Sequence, residues 1–149
     1  MRSNIHFYTD GSCKWNPGPG GYAFVVVESP YESHVYSFYK SVKYSTTNNR
    51  MEMEAFIAAM KHFNSNYIGA DMTIYSDSAL ICNTLNKSWY KKWEVNGWLT
   101  SKKDPVANKD LWQEMLPLYK EIVPTVEHVK GHNGNKFNEI ADNLAQRTD

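Results

Sequence analysis

Four carboxylates have neighbours that suggest chemistry. Asp10 lies in Thr9-Asp10-Gly11-Ser12, Glu52 in Asn48-Asn49-Arg50-Met51-Glu52, Asp77 in Ser76-Asp77-Ser78, and Asp142 in Ile140-Ala141-Asp142-Asn143. If folding gathers them, their charges repel strongly, and hard divalent cations such as Mg²⁺ are the species that most readily relieve such a cluster. The chemistry implied is metal-dependent hydrolysis.

The local pattern separates the four. A helix is expected from about Met51 to Phe63, and at about 100° per residue Glu52 shares a face with Ala55, Phe56, Ala59 and Phe63. Glu54 points the opposite way and reads as a solvated residue. A glutamate on the buried stripe is costly unless paired or bound to metal, so Glu52 is the functional candidate. Asp10 and Asp77 each end a short apolar strand, Ile5 to Thr9 and Met72 to Ser76. If those strands are parallel neighbours, both carboxylates emerge at one sheet edge, where α/β folds put their sites. Taken singly, each reads equally well as a turn former or helix cap. Asp142 falls beside the stripe of Phe137, Ile140, Ala141, Leu144 and Ala145, and by pattern alone is a solvated helix residue. His132, in the loop Val129-Lys130-Gly131-His132-Asn133-Gly134, can move protons because imidazole titrates near neutrality. Without acids nearby it would be an ordinary exposed histidine. His6, His34, His62 and His128 carry no pattern.

The elements that must position these residues follow from composition and turn signals. Ile5 to Thr9 and Tyr22 to Glu28 read as strands joined by a Gly- and Pro-rich loop from Gly11 to Gly21. Val35 to Tyr44 is a third strand, partly polar and so nearer an edge. Thr46, Thr47, Asn48 and Asn49 offer caps for the helix that follows. After the strand ending at Ser76, Ser78 opens a second helix. Lys109 to Ile122 is helical, with Pro117 expected to kink or split it. Thr125 to Val129 is the last strand and Asn135 to Gln146 the last helix. Three strands followed by alternating helix and strand predict an α/β fold, a mixed sheet with helices packed on it.

Composition limits the alternatives. The chain has 149 residues, 42% hydrophobic and 14% aromatic, which suffices for one domain over 1–149. No apolar run is long enough to span a membrane and the N-terminus lacks a signal-peptide pattern, so a cytoplasmic location is expected. Cys13 and Cys82 have neither CxxC spacing nor a histidine pattern, which argues against a zinc site or disulfide framework and leaves isolated thiols. The formal net charge is zero, yet Lys87, Lys91, Lys92, Lys102, Lys103 and Lys109 face only Glu94 and Asp104 between Asn86 and Lys109. A basic patch opposite an acidic pocket suits a nuclease, the patch holding phosphate while metal neutralises the pocket. A merely solvated charged face is the plainer alternative.

Together these residues resemble the type 1 ribonuclease H family in its bacterial form. The resemblance rests on Thr9-Asp10-Gly11-Ser12-Cys13, Asn16-Pro17-Gly18-Pro19-Gly20-Gly21, Thr46-Thr47-Asn48-Asn49-Arg50-Met51-Glu52, Ser76-Asp77-Ser78, Val129-Lys130-Gly131-His132 and the helix of Asp142, in that order over about residues 5–146. It implies a ribonuclease H-like fold, a five-stranded mixed sheet flanked by helices. It also implies that Asp10, Glu52, Asp77 and Asp142 bind two Mg²⁺ ions, with Mn²⁺ a possible substitute. The activity implied is hydrolysis of the RNA strand of an RNA/DNA hybrid, leaving 5′-phosphate and 3′-hydroxyl ends. His132 matches a loop histidine that assists proton transfer or product departure.

The same resemblance supplies substrate contacts. Asn16, Asn48 and Glu52 match positions that meet the RNA strand and its 2′-hydroxyls, and Cys13, in the matched Thr9-to-Cys13 motif, is a further substrate-binding candidate. Thr47 and Asn49, with Arg50, resemble a pocket for a DNA-strand phosphate. Residues from about 86 to 103 resemble a basic protrusion that holds the duplex through Lys87, Trp89, Lys91, Lys92 and Trp93, while Trp98 suits a packing anchor. Glu94, Val95 and Asn96 depart from the family's basic run, which implies weaker grip or compensation by the lysines before them. The partner implied is an RNA/DNA hybrid bound by a monomer. Two other classes compete. A catalytically silent hybrid-binding module would gain nothing from carboxylates that repel phosphate. A DNA-cutting nuclease or transposase on the same sheet is disfavoured by the Thr46-to-Glu52 segment.

Overall fold

The chain builds β1 (Asn4–Cys13), β2 (Gly18–Glu28), β3 (Ser33–Thr46), α1 (Asn48–Asn66), β4 (Asp71–Ser76), α2 (Ala79–Asn86), α3 (Tyr90–Asn96), α4 (Lys109–Ile122), β5 (Thr125–His128) and α5 (Lys136–Ala145). The structure, a computed structural model, describes residues 3–28, 33–129 and 136–147, with side chains from 36 in β3. The strands form one five-stranded sheet in the order β3-β2-β1-β4-β5. β1 and β2, and β2 and β3, pair antiparallel; β4 is parallel to both β1 and β5. The sheet is therefore mixed, with β3 at an edge as its polar pattern predicts. Among the described residues no helix is long and apolar enough to cross a membrane.

Alternation along β1 assigns the two faces of the sheet. Ile5 and Phe7 enter the larger core with Met53, Phe56 and Met60 of α1, Ile81 and Leu85 of α2, and Trp112 and Met115 of α4. Tyr8 points the other way and packs with Val25, Val27, Phe137 and Ala141 beneath α5. The first face carries most of the helices; the second carries α5. Helix α1 buries Met51, Met53, Ile57 and Met60 as well as Ala55, Phe56, Ala59 and Phe63, because it lies between the sheet and α4. Burial of each large apolar side chain here contributes about 1.5–3 kcal/mol.

Two sequence expectations are corrected. The segment Gly11 to Gly21 is mostly strand rather than loop: β1 continues through Asp10 to Cys13, and Ser12 and Cys13 pair with Gly21 and Gly20. Only Lys14 to Pro17 turns, with Trp15 at φ 54° and a cis Asn16–Pro17 bond. The glycines serve close approach more than turning. A Cβ on Gly11 would overlap the Met51 and Glu52 backbone, and one on Gly21 would overlap the Ala145 carbonyl oxygen, so α1 and α5 press directly on the strands. Pro117 lies inside α4 without splitting it. Its missing N–H frees the Gln113 carbonyl, and both residues are exposed, so the freed carbonyl is open to solvent.

Gly11→Ala should therefore destabilise the protein by about 1–3 kcal/mol through overpacking. Calorimetry should show a lower Tm, and divalent-cation affinity should fall with it, because the added methyl pushes Glu52 away from β1.

Candidate active site

Parallel pairing sets the first two carboxylates side by side. Tyr8 stands opposite Tyr75 in the β1/β4 register, with their rings stacked 4.3 Å apart. Two residues further along the chain from each are Asp10, still within β1, and Asp77, just past β4, at the same end of the sheet. The close approach of α1 at Gly11 adds Glu52, and carboxylate oxygens of Asp10, Glu52 and Asp77 lie within 4.8 Å of one another. Asp142 of α5 lines the same cleft, about 420 Å³ in volume, together with Ser12, Asn48, Asn49 and Ser78. All four predicted carboxylates thus converge. Asp142, unremarkable by helical phase, is brought in because α5 crosses the sheet face to which Asp10 belongs.

The electrostatics are those of a crowded anion site. Asp10 is buried, and its carboxyl is raised to about 8, first by burial, then by its hydrogen bond with Asp142 and the charges of Asp77 and Asp142. A hydrogen bond from Glu52 partly offsets this. Glu52 is raised well above the carboxylate range by burial and by the Asp10 and Asp77 charges. Its Oε2 atom is buried and has no hydrogen-bond partner. A buried carboxylate oxygen left unpaired costs on the order of 1–3 kcal/mol or more. An oxygen-only donor set with such an orphaned atom fits a hard divalent cation. Some local support exists: the Gly11 N–H donates to Asp10 Oδ1 at 3.0 Å, and the Gln146 amide donates to Asp142 Oδ2 at 3.0 Å.

Glu54 is corrected from solvated to half-buried. It lies between α1 and α4, where burial and the Glu114 charge push its carboxyl up while Arg50, Lys40 and Lys61 pull it down. It faces away from the carboxylate cleft, as helical phase predicts.

The expected substrate residues fall into two groups. Asn16 and Asn48 are brought together, the Asn48 N–H donating to Asn16 Oδ1 at 3.0 Å, and Asn48 and Asn49 are exposed at the cleft. Thr47 caps α1, its hydroxyl accepting from the Arg50 N–H at 3.2 Å. The Cys13 thiol donates to the carbonyls of Gly18 and Thr46 at 3.2 Å, which ties the β1–β2 turn to the end of β3. On the protrusion Lys87, Lys91, Lys92 and Trp89 are exposed. Trp93 is partly buried, its ring 6.0 Å from Trp98 and 5.7 Å from Trp112, and so anchors α3 to the core as Trp98 does. Glu94 is paired with Lys120 of α4 at 2.6 Å, a local reason for an acid in this basic segment. His132 and its loop neighbours lie outside the described residues.

Two partners of Arg50 escape the sequence reading, Asn108 and Asp110. Arg50 forms a bidentate pair with Asp110, at 3.0 and 2.8 Å, and donates to Asn108 Oδ1 at 3.2 Å. Asp110 is far from Arg50 in sequence, so no local signal links them. Asn108 offers a weak one: it sits at φ 59°, a left-handed conformation that asparagine tolerates better than most residues.

A family model described as RNase H matches residues 2–149. The chain is 42% identical over 142 residues to a ribonuclease H of Syntrophomonas wolfei, covering 95% of this chain and 93% of that one. It is 40% identical over 144 residues to a ribonuclease HI of Synechocystis, covering 96% and 86%. Among solved structures it is similar to LC9-RNase H1, a type 1 RNase H with the type 2 active-site motif, at TM-score 0.82 and 27% identity over 97% of this chain and 71% of that one. LC11-RNase H1 in complex with RNA/DNA hybrid matches at TM-score 0.68 and 25% identity over 94% and 92%.

The crowded carboxyls have a pH signature. Asp10 titrates near the ordinary aspartate value of 3.8 in the unfolded chain and at about 8 in the fold, so its contribution is full below about pH 4 and fades as pH rises through about 8. Glu52 acts in the same direction. Protein treated with chelator should lose Tm across that window, and Asp10→Asn should flatten the slope and raise the neutral-pH Tm. With excess Mg²⁺ the trend should reverse, since cation binding needs the ionised acids.

Proposed function

We infer that this chain, which belongs to the ribonuclease H family, is an endoribonuclease that hydrolyses the RNA strand of RNA/DNA hybrids and leaves 5′-phosphate and 3′-hydroxyl ends. The observation that carries this is the meeting of Asp10, Glu52 and Asp77, with an unpaired buried Glu52 oxygen, in a cleft bordered by Asn48 and Asn49. Asp10, Glu52, Asp77 and Asp142 would hold two Mg²⁺ ions, with Mn²⁺ as a substitute. When bound, the ions supply activation of the attacking water and stabilisation of the leaving 3′-oxygen.

The chain's own groups do the rest. Asn16 and Asn48, joined by their hydrogen bond, present amides suited to the RNA strand and its 2′-hydroxyls, the group that distinguishes RNA from DNA. Thr47, Asn49 and Arg50 at the start of α1 receive a DNA-strand phosphate, with Arg50 held in place by Asp110. Lys87, Lys91, Lys92 and Trp89 lie along the exposed protrusion and grip the duplex backbone. His132 assists proton transfer or product departure, a role supported by its Lys130-Gly131-His132 motif. The reading extends to a monomeric catalytic domain working in the cytoplasm; the family match over residues 2–149 supports the domain part.

Cleavage of matched RNA/DNA hybrid, RNA duplex and DNA duplex with Mg²⁺ tests this reading, and the hybrid alone should be cut. In the same assay Glu52→Gln should be inactive and Glu54→Gln nearly normal. Equal loss in both, or cutting of the DNA duplex, would overturn it.

The protrusion should serve binding rather than chemistry. Replacing Lys87, Lys91 and Lys92 by Ala should raise KM with kcat largely kept. The slope of log affinity against log salt should become shallower by roughly 0.7–0.9 for each phosphate that is no longer neutralised. An unchanged salt slope would show that these lysines do not touch phosphate.

A further inference from the structure

Beside the carboxylate cleft, on the α5 side of the sheet, lies a second cavity of about 410 Å³ with a different chemistry. Three cations line it: Lys14 in the β1–β2 turn, Lys43 in β3, and Arg147 just beyond α5. At its rim stands Trp15, 78% exposed, with the Lys14 ammonium 5.8 Å from its ring. The Arg147 guanidinium lies 4.8 Å from the Tyr39 ring. Aromatic faces among cations form the general recognition surface for an unstacked base and its phosphate.

The cavity adjoins the cleft at two residues. Ser12 lines both, and stands two residues from Asp10 along β1, about 7 Å away and on the same strand face. Gln146 lines the cavity and donates to Asp142 in the cleft at 3.0 Å. A strand leaving the carboxylates past Ser12 towards α5 would meet the cationic pocket next.

We propose that this pocket holds a nucleotide of single-stranded RNA continuing from the hybrid, its base stacked on Trp15 and its phosphate among Lys14, Lys43 and Arg147. The proposal rests on the ribonuclease H reading, which runs the RNA strand through the cleft. A duplex is the poorer occupant, because its bases are already stacked and offer no face to Trp15, whereas an unpaired nucleotide offers both ring and charge. The volume lies within the range of small-molecule pockets and suits one nucleotide rather than a helix. The protein is then tuned for hybrids that end in a single-stranded RNA branch.

The test uses one hybrid in three forms: flush-ended, with unpaired RNA nucleotides extending from either end, and with unpaired DNA nucleotides. Binding is read by anisotropy and cleavage by KM, for the wild type, Trp15→Ala and Trp15→Phe. An RNA extension at one end should lower Kd and KM roughly five- to 150-fold, the range that stacking of one base supports. Trp15→Ala should erase that gain while flush hybrid is still cut, and Trp15→Phe should restore much of it. Equal affinity for flush and RNA-extended hybrid, a gain that persists in Trp15→Ala, or a gain confined to the DNA extension would each overturn the proposal. Failure of the wild type to cut any hybrid would instead strike the ribonuclease H reading, and the anisotropy comparison would still judge the pocket.

Discussion

Mutual repulsion among carboxylates held at one end of the β1/β4 pair is the constraint around which the molecule is organised. Asp10, Glu52 and Asp77 approach within 4.8 Å and share a cleft with Asp142, although each charge taken from water costs several kcal/mol. Local structure cannot hold such a set, so long-range packing must. The strand register aligns Asp10 with Asp77, stacked Tyr8 and Tyr75 rings lock that register, and bare glycine surfaces let α1 and α5 approach. The large side chains Phe56, Met53 and Met60, all fully buried, hold the helix that carries Glu52. The hydrophobic core is thus the scaffold against which the acids are held together, and a cation bound there would remove the opposition.

The two sheet faces divide the work. One face carries α1, α2 and α4, and from it the segment containing α3 extends with its exposed lysines. That segment is tied back by the Trp93, Trp98 and Trp112 rings and by the Glu94–Lys120 pair. Arg50 bridges the first turn of α1 to Asn108 and Asp110 at the start of α4, so the two helices are tied at one end through one guanidinium. Among the described residues the other face carries α5 alone, which brings Asp142 to the cleft and leaves room beside it for the cationic pocket.

Much of this was legible in the sequence, for reasons that differ by residue. Asp77 follows a strand directly, and Glu52 sits at a helical phase that only a buried position explains. The mixed sheet and its edge strand follow from element order and polarity, and its five strands from the family resemblance. Asp10 joins the other acids as expected but lies within β1 rather than at a strand end, because Gly11, Gly18, Gly20 and Gly21 signal turns in sequence while here they make room for neighbouring backbone. The degree of burial of Glu54 could not be read, since a second helix covering the outer side of α1 leaves no periodic trace in α1 itself. The Arg50–Asp110 pair joins distant segments, and such pairing is a property of the folded surface rather than of any local pattern. Pro117 was overvalued as a breaker because a solvent-facing carbonyl loses little when its partner is removed.

Helix α1 carries Asn48 in its first turn and Glu52 one turn later, on a single rod that is packed from both sides. With a rise of about 1.5 Å per residue these positions stand about 6 Å apart along the axis. On the proposed reading, the amide that inspects the sugar and the acid that serves the scissile phosphate are gradations on one ruler. Discrimination and cutting cannot drift out of step, because no hinge separates them. An insertion between Asn48 and Glu52 would miscalibrate the instrument rather than merely weaken it.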